Sequence, residues 1–217
     1  MTEARLTLLH TSPVHVATFD ALAEEEAPGV ELVHLVCEEL LAEARRLGPD
    51  AVSDHVADHV ADRVVDAVTG HGVVLCTCST IGAVAEAHGA LRVDRPMAAE
   101  AAAAATAGRR VVVLAALEST LAPTLALLAE EGVADVEAVV VDGAWERFEQ
   151  DDRAGYLALV TREIERHEGA VVVLAQASMA PAATRAGVLS SPRLGLREAV
   201  RQLRDPMPQA GVANPGR

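Results

Sequence analysis

The chain has 217 residues, a formal net charge of -14, 51% apolar residues and only 2% aromatic ones. A chain of this size buries roughly 70% of the surface its unfolded form exposes, so it supports one large or two small cores, packed from Ala, Val and Leu rather than rings. The negative charge and the shortage of rings argue against nucleic-acid and membrane partners, and because all 18 basic residues are arginine, no lysine exists for a pyridoxal Schiff base or a P-loop.

The first residues, Met1-Thr2-Glu3-Ala4-Arg5, carry neither the basic start nor the apolar run of a signal peptide. No apolar stretch reaches the ~18 residues of a membrane span, and a cytoplasmic protein is expected. Short runs of Val and Leu then alternate with longer Ala-, Glu- and Arg-rich stretches, the pattern of parallel strands joined by crossover helices. In chain order it predicts a strand at 6–10, a helix at 14–26, a strand at 30–36, helices at 38–47 and 50–69, and a strand at 73–77. Residues 92–96 link this first half to a second, with Pro96 suited to open the next helix. There a helix at 97–107 precedes a strand at 110–115, a helix at 120–131, a strand at 136–141, one long helix at 144–167, a strand at 170–175 and a closing helix at 195–204.

The expected fold class is α/β, with two pseudo-symmetric, Rossmann-like halves, parallel sheets and a cleft between them. Residues 1–93 and 190–204 form the first half, the last helix crossing back to cover it, and residues 94–189 form the second. Residues 205–217, rich in proline and glycine, are expected to be disordered.

The two halves echo one another. Val73-Val74-Leu75-Cys76-Thr77-Cys78-Ser79 returns as Val172-Val173-Leu174-Ala175-Gln176-Ala177-Ser178, and Arg5-Leu6-Thr7-Leu8-Leu9 as Arg110-Val111-Val112-Val113-Leu114. Ligands of open parallel sheets bind beyond the carboxyl ends of the strands, so in a duplicated fold these ends face one another across one cleft. Thr11, Ser12, Cys78, Ser79, Ser119, Thr120 and Ser178 all follow such ends. The result is a pocket of hydroxyls with a single thiol, since Ala177 answers Cys78.

Rival chemistries are weaker. His55 and His59 share a helical face, but no Glu follows the first as a zinc-protease motif needs, and a solvated acidic helix capped by Ser53 explains them; no metal is expected. Gly70-His71-Gly72 is too short for a phosphate loop, and Ser79 lacks the Gly-x-Ser-x-Gly setting of a hydrolase nucleophile. His10 and His15 border the expected cleft and read as structural. Cys37 and Cys76 read as core, and three cysteines are too few for a disulfide framework, in keeping with a reducing compartment.

Cys78-Ser79-Thr80 resembles the Cys-Asn/Ser-Thr turn of the aspartate/glutamate racemase superfamily, which also holds hydantoin racemases, maleate isomerases and arylmalonate decarboxylases. The segment Ser119-Thr120-Leu121-Ala122-Pro123-Thr124 is similar in part to its Gly-Thr-x-x-x-Ser/Thr helix opening. Where family members end the second strand in Gly-Cys-Thr, this chain has Gln176-Ala177-Ser178, and the histidine that often follows is replaced by Met179-Ala180. The resemblance implies cofactor-free proton transfer at the α-carbon of a small carboxylic or amino acid, and a chain that pairs into a homodimer. It also implies that one of the two usual thiols is missing.

A cysteine at a strand end, just before a helix, sits near unpaired backbone N–H groups and the positive end of the helix dipole, which favours the thiolate. Cys78 is therefore the expected acid/base. Ser79, Thr80, Thr120, Thr124 and Ser178, with backbone amides, are expected to hold the carboxylate and the enediolate, with Thr11, Ser12, Ser119 and Ala177 completing the substrate site. Four activities remain open: an isomerase with an unidentified second group such as Ser178, a decarboxylase, a cis–trans isomerase using Cys78 as nucleophile, and a small-acid binder without turnover.

Overall fold

The computed structural model describes residues 5–47 and 54–205, with side chains at 5–42, 58–67 and 72–205. The Val- and Leu-rich runs become strands because apolar and β-branched side chains suit a parallel sheet covered by helices on both faces. The first stretch of chain runs β1 (Arg5–His10), α1 (Val14–Glu26), β2 (Glu31–Val36), α2 (Glu38–Leu47), α3 (Asp54–His71), β3 (Val74–Cys76), α4 (Gly82–Ala87), β4 (Leu91–Arg92) and α5 (Arg95–Thr106). The second runs β5 (Val111–Ala115), a 3-10 turn at Glu118–Thr120, α6 (Leu121–Glu130), β6 (Val136–Val140), α7 (Ala144–Glu149), α8 (Arg153–Arg166), β7 (Val171–Leu174), a 3-10 turn at Ala177–Ala182, β8 (Val188–Ser190) and α9 (Ser191–Arg204).

Each half is one parallel four-stranded sheet, ordered β2-β1-β3-β4 and β6-β5-β7-β8. The identical order makes the duplication structural. All six expected strands are present within a residue at either end, and three short elements, β4, β8 and α4, add to them. β1 and β5 are central strands, so Leu6, Leu8, Val112 and Leu114 are fully buried.

Cores lie on both faces of both sheets. Leu9 and Cys76 point to the side covered by α2, α3 and α4, with Val60, Val64 and Ile81. Val112, Leu114, Val172 and Leu174 meet Tyr156, Val160 and Ile164 of α8 on the corresponding side of the second sheet. On the other faces the closing helices are exchanged. Met97, Ala98 and Ala101 of α5 pack on Val111, Val113 and Val173 of the second sheet, while Leu196, Ala199 and Val200 of α9 pack on Leu6, Leu8 and Leu75 of the first. The two helices also touch each other. Gly195 permits the close seat of α9, because a Cβ there would stand 2.5 Å from the Val93 carbonyl oxygen.

The expected linker at 92–96 is shorter and more tightly built than its sequence suggests. Arg92 ends β4, Arg95 opens α5, and Arg92 Nε and Nη2 donate to the two carboxylate oxygens of Asp94 at 3.0 and 3.1 Å. Both side chains are 1% exposed. Desolvation makes such a pair a modest contributor when intact, but removing one partner strands a buried charge. Asp94→Ala is expected to cost on the order of 3 kcal/mol, read as a lower urea midpoint, and Arg92→Met with Asp94→Leu should recover most of it.

The single helix expected at 144–167 is two. Asp151 adopts φ 59°, which breaks the first, and the Asp152 carboxylate accepts from Gly155 N–H at 2.9 Å, capping the second. Gly155 fits there because a Cβ would stand 2.2 Å from Asp152 Oδ2. Cap chemistry outweighs the continuous helical pattern. α3 starts at Asp54; residues 50–53, including the Ser53 cap, and the expected tail at 206–217 lie outside the described residues. Among the described residues no helix is long and apolar enough to cross a membrane, and no cluster of three metal-binding side chains occurs.

Candidate active site

The strand ends of the two halves meet at a cavity of about 50 Å³, room for the reacting end of a small acid. β3 runs into Thr77-Cys78-Ser79-Thr80 on one side, β7 into Ala175-Gln176-Ala177-Ser178 on the other, and all eight residues line it. Ser79 Oγ donates to Ala175 O across the seam at 3.1 Å. Thr11, Ser12 and Thr120 also line the cavity, whereas Ser119 and Thr124 do not.

Cys78 is partly exposed and opens into this space. Cys76, two residues earlier, is fully buried, and its thiol donates to Cys78 O at 3.6 Å. Burial pushes the Cys76 thiol well above its ordinary range, and the neighbouring Cys78 adds to the effect. Cys37 is also buried and raised by desolvation. The bend after β3 therefore separates the accessible Cys78 sulfur from the enclosed Cys76 sulfur.

The hydroxyls are not equivalent. Ser79 spends its hydrogen on Ala175 O, and Thr120 Oγ1 donates to Leu117 O at 2.6 Å, so both offer only lone pairs to the cavity. Thr80 Oγ1 is buried, lines the cavity and has no partner. A buried hydroxyl without a partner is costly in an empty site and satisfied by an acceptor placed there. Gln176 supplies a further donor. Its Oε1 accepts from the backbone N–H groups of Ala116 at 2.5 Å and Leu117 at 3.1 Å, which fixes the amide orientation and leaves Nε2–H as the group of this cavity-lining residue that can still donate. Ser178 Oγ lies 2.8 Å from the hydroxyl of the fully buried Tyr156.

Beneath the cavity a hydrogen-bonded chain runs outward. Thr77 Oγ1 is 2.8 Å from His10 Nδ1, His10 Nε2 is 2.8 Å from His34 Nδ1, and His34 Nε2 is 3.0 Å from the exposed Asp20 carboxylate. A carboxylate only accepts, so with neutral rings His34 donates to Asp20 and His10 donates to His34, which leaves His10 Nδ1 and Leu9 O, 3.1 Å from Thr77 Oγ1, as the two acceptors for the single Thr77 hydroxyl hydrogen. Burial, with His15 and His34 nearby, holds His10 down to about 3. Burial and the Arg153 charge hold His15, which lines the cavity, down to about 4. Neither ring is a cation at neutral pH.

No protein-family model and no curated protein matches this sequence. Solved structures do. An aspartate racemase from Picrophilus torridus is similar with a TM-score of 0.66 at 13% identity, over 92% of this chain and 94% of that one. An aspartate racemase homologue from Pyrococcus horikoshii OT3 gives 0.58 at 12% identity, over 93% and 100%. A glycine-to-cysteine mutant of arylmalonate decarboxylase, in a sulfate-associated form, gives 0.53 at 20% identity, over 98% and 97%.

The chain has the aspartate/glutamate racemase fold. On this racemase fold the structure gathers eight of the ten residues expected at the site and leaves Ser119 and Thr124 outside the cavity lining. It also adds residues that the sequence reading left out of the site: Gln176, His15, and the Trp145 and Phe148 rings of α7, stacked at 5.0 Å. Phe148 in turn lies 5.4 Å from Tyr156, and Arg153 Cζ sits 5.4 Å over the Phe148 ring. A compositional signal for this wall exists. The racemase-fold chain has four Phe, Trp and Tyr residues in all, and three of them fall within residues 145–156.

Proposed function

We propose that the protein is a cofactor-independent isomerase of racemase type, moving a proton at the α-carbon of a small carboxylic or amino acid with Cys78 as acid/base. The observation that carries this reading is the single accessible thiol at a strand end, beside the unpartnered Thr80 hydroxyl, in the cavity between the halves. The Cys78 thiolate removes the α-proton, and the electron pair left on carbon spreads into the carboxylate as an enediolate. Thr80 Oγ1–H and Gln176 Nε2–H donate to its oxygens. Losing one such donor raises a barrier by ~3 kcal/mol.

Decarboxylation is the second reading. Ala177 stands opposite Cys78, and a malonate that loses carbon dioxide forms the same enediolate with only one proton to deliver; likeness to an arylmalonate decarboxylase supports weighing it. Amino acids, hydantoins and malonates incubated with the protein in deuterated water separate the two by NMR. Deuteration at the α-carbon without loss of carbon is expected. Carbon dioxide release in its place decides for the decarboxylase, and a ligand-induced rise in melting temperature with neither reaction overturns both.

A further inference from the structure

The isomerase reading leaves one substrate face without a thiol, because Ala177 stands where the second half would offer one. The wall behind that face is not inert. Ser178 lines the cavity and pairs with the hydroxyl of Tyr156, a fully buried residue of α8 and the only tyrosine in the chain. Three residues earlier on α8, Arg153 has a buried Nη1 with no hydrogen-bond partner, and its charge acts on the Tyr156 phenol. A buried guanidinium nitrogen without an acceptor is expensive. Here the guanidinium sits over the Phe148 ring, which packs against Tyr156, and a charge so placed has a use, which is to hold the phenolate.

We propose that Ser178 is the second proton donor and acceptor of this site, and that Tyr156, steadied by Arg153, is the reservoir behind it. The inference rests on the isomerase reading. As the α C–H bond breaks, the proton forms an S–H bond on Cys78 and the electron pair enters the carboxylate. On the opposite face the pair returns to carbon: a C–H bond forms with the Ser178 hydrogen while Ser178 takes the Tyr156 hydrogen. The negative charge ends on the Tyr156 oxygen, against Arg153. One proton thus resides on either the sulfur or the phenol, and the reverse reaction runs the same steps backwards.

The reservoir matters because serine alone is too weak an acid. Burial pushes the Tyr156 phenol up to about 12, the Ser178 hydrogen bond and the Arg153 charge work against that rise, and the phenol stays a stronger acid than an aliphatic hydroxyl. Tyr156 acts through Ser178 and positions the transferable proton; only Ser178 faces the substrate.

The test measures racemisation and α-proton washout from each enantiomer in deuterated water for wild type, Tyr156→Phe and Arg153→Gln. Tyr156→Phe is expected to slow racemisation roughly 100-fold, while washout from the enantiomer whose α-proton faces Cys78 stays near the wild-type rate. Racemisation at the wild-type rate overturns the relay, and so does an equal loss of washout from both enantiomers, which marks a structural role. Absorbance titration of the sole tyrosine gives a readout independent of turnover: Arg153→Gln should raise the pH at which phenolate appears, and an unmoved titration overturns the relay. No washout from either enantiomer in the wild type sinks the isomerase reading and the relay with it, whereas the other failures sink the relay alone.

Discussion

Cys78→Ala is expected to lower turnover roughly 10³-fold, in the middle of the range an acid/base group contributes, while the melting temperature hardly moves. Cys78 is partly exposed and only borders the core beneath α4, so its removal opens no sealed void. Cys76→Ala should give the opposite pattern. Cys76 is fully buried among Leu9, Val74, Ile81 and Ala85, and its truncation leaves a small cavity in a packed interior. Stability falls and turnover persists. Steady-state rates and thermal melts of the two variants, taken side by side, decide which sulfur does the chemistry, and lost turnover in Cys76→Ala with full turnover in Cys78→Ala refutes the assignment.

Acid is expected to unfold the protein through His10 and His15. Their native values lie at about 3 and about 4, against ~6.5 in an unfolded chain. Below pH ~6.5 the unfolded state therefore binds protons that the native state refuses, and stability falls as pH falls. Above that pH the contribution is fully present. By pH 4.5 each ring removes about 2–3 kcal/mol, together a large share of the ~5–15 kcal/mol a native protein has to lose. Urea midpoints should drop steeply between pH 6.5 and 4.5, and His10→Asn should flatten that slope whatever its baseline. A level midpoint across the range means that the rings already carry charge in the native protein.

The strands were readable because Val and Leu runs in a parallel sheet are buried on both faces, so each stands out as a continuous apolar block. β4 and β8 were not, since two- and three-residue edge strands such as Leu91–Arg92 and Val188–Ser190 leave no periodic trace. The break between α7 and α8 was written in Asp152 and Gly155, one cap three residues from its partner, inside a stretch whose apolar spacing looks unbroken. At the site, the repeated strand ends pointed to Cys78, Ser79 and Ser178 because position after a strand is a local property. Gln176 follows the same strand end as Ser178 and was open to the same reading, whereas Trp145 and Phe148 come to the cavity on α7 by packing within the second half, which no strand-end position encodes. The same applies to the hydroxyls: sequence names Ser79 and Thr120 as donors, and the fold turns both hydrogens inward.

The swap of α5 and α9 bears on how the molecule moves. Each sheet is covered by the helix that follows the other sheet's last strand, so the chain crosses between the halves just before α5 and just before α9, and a hinge that swung the halves apart would bend those two crossings and part α5 from α9. Opening of the cleft then turns on those two crossings, and because each half is completed by a helix supplied from beyond the other's last strand, heat is expected to melt both halves in one cooperative step rather than two.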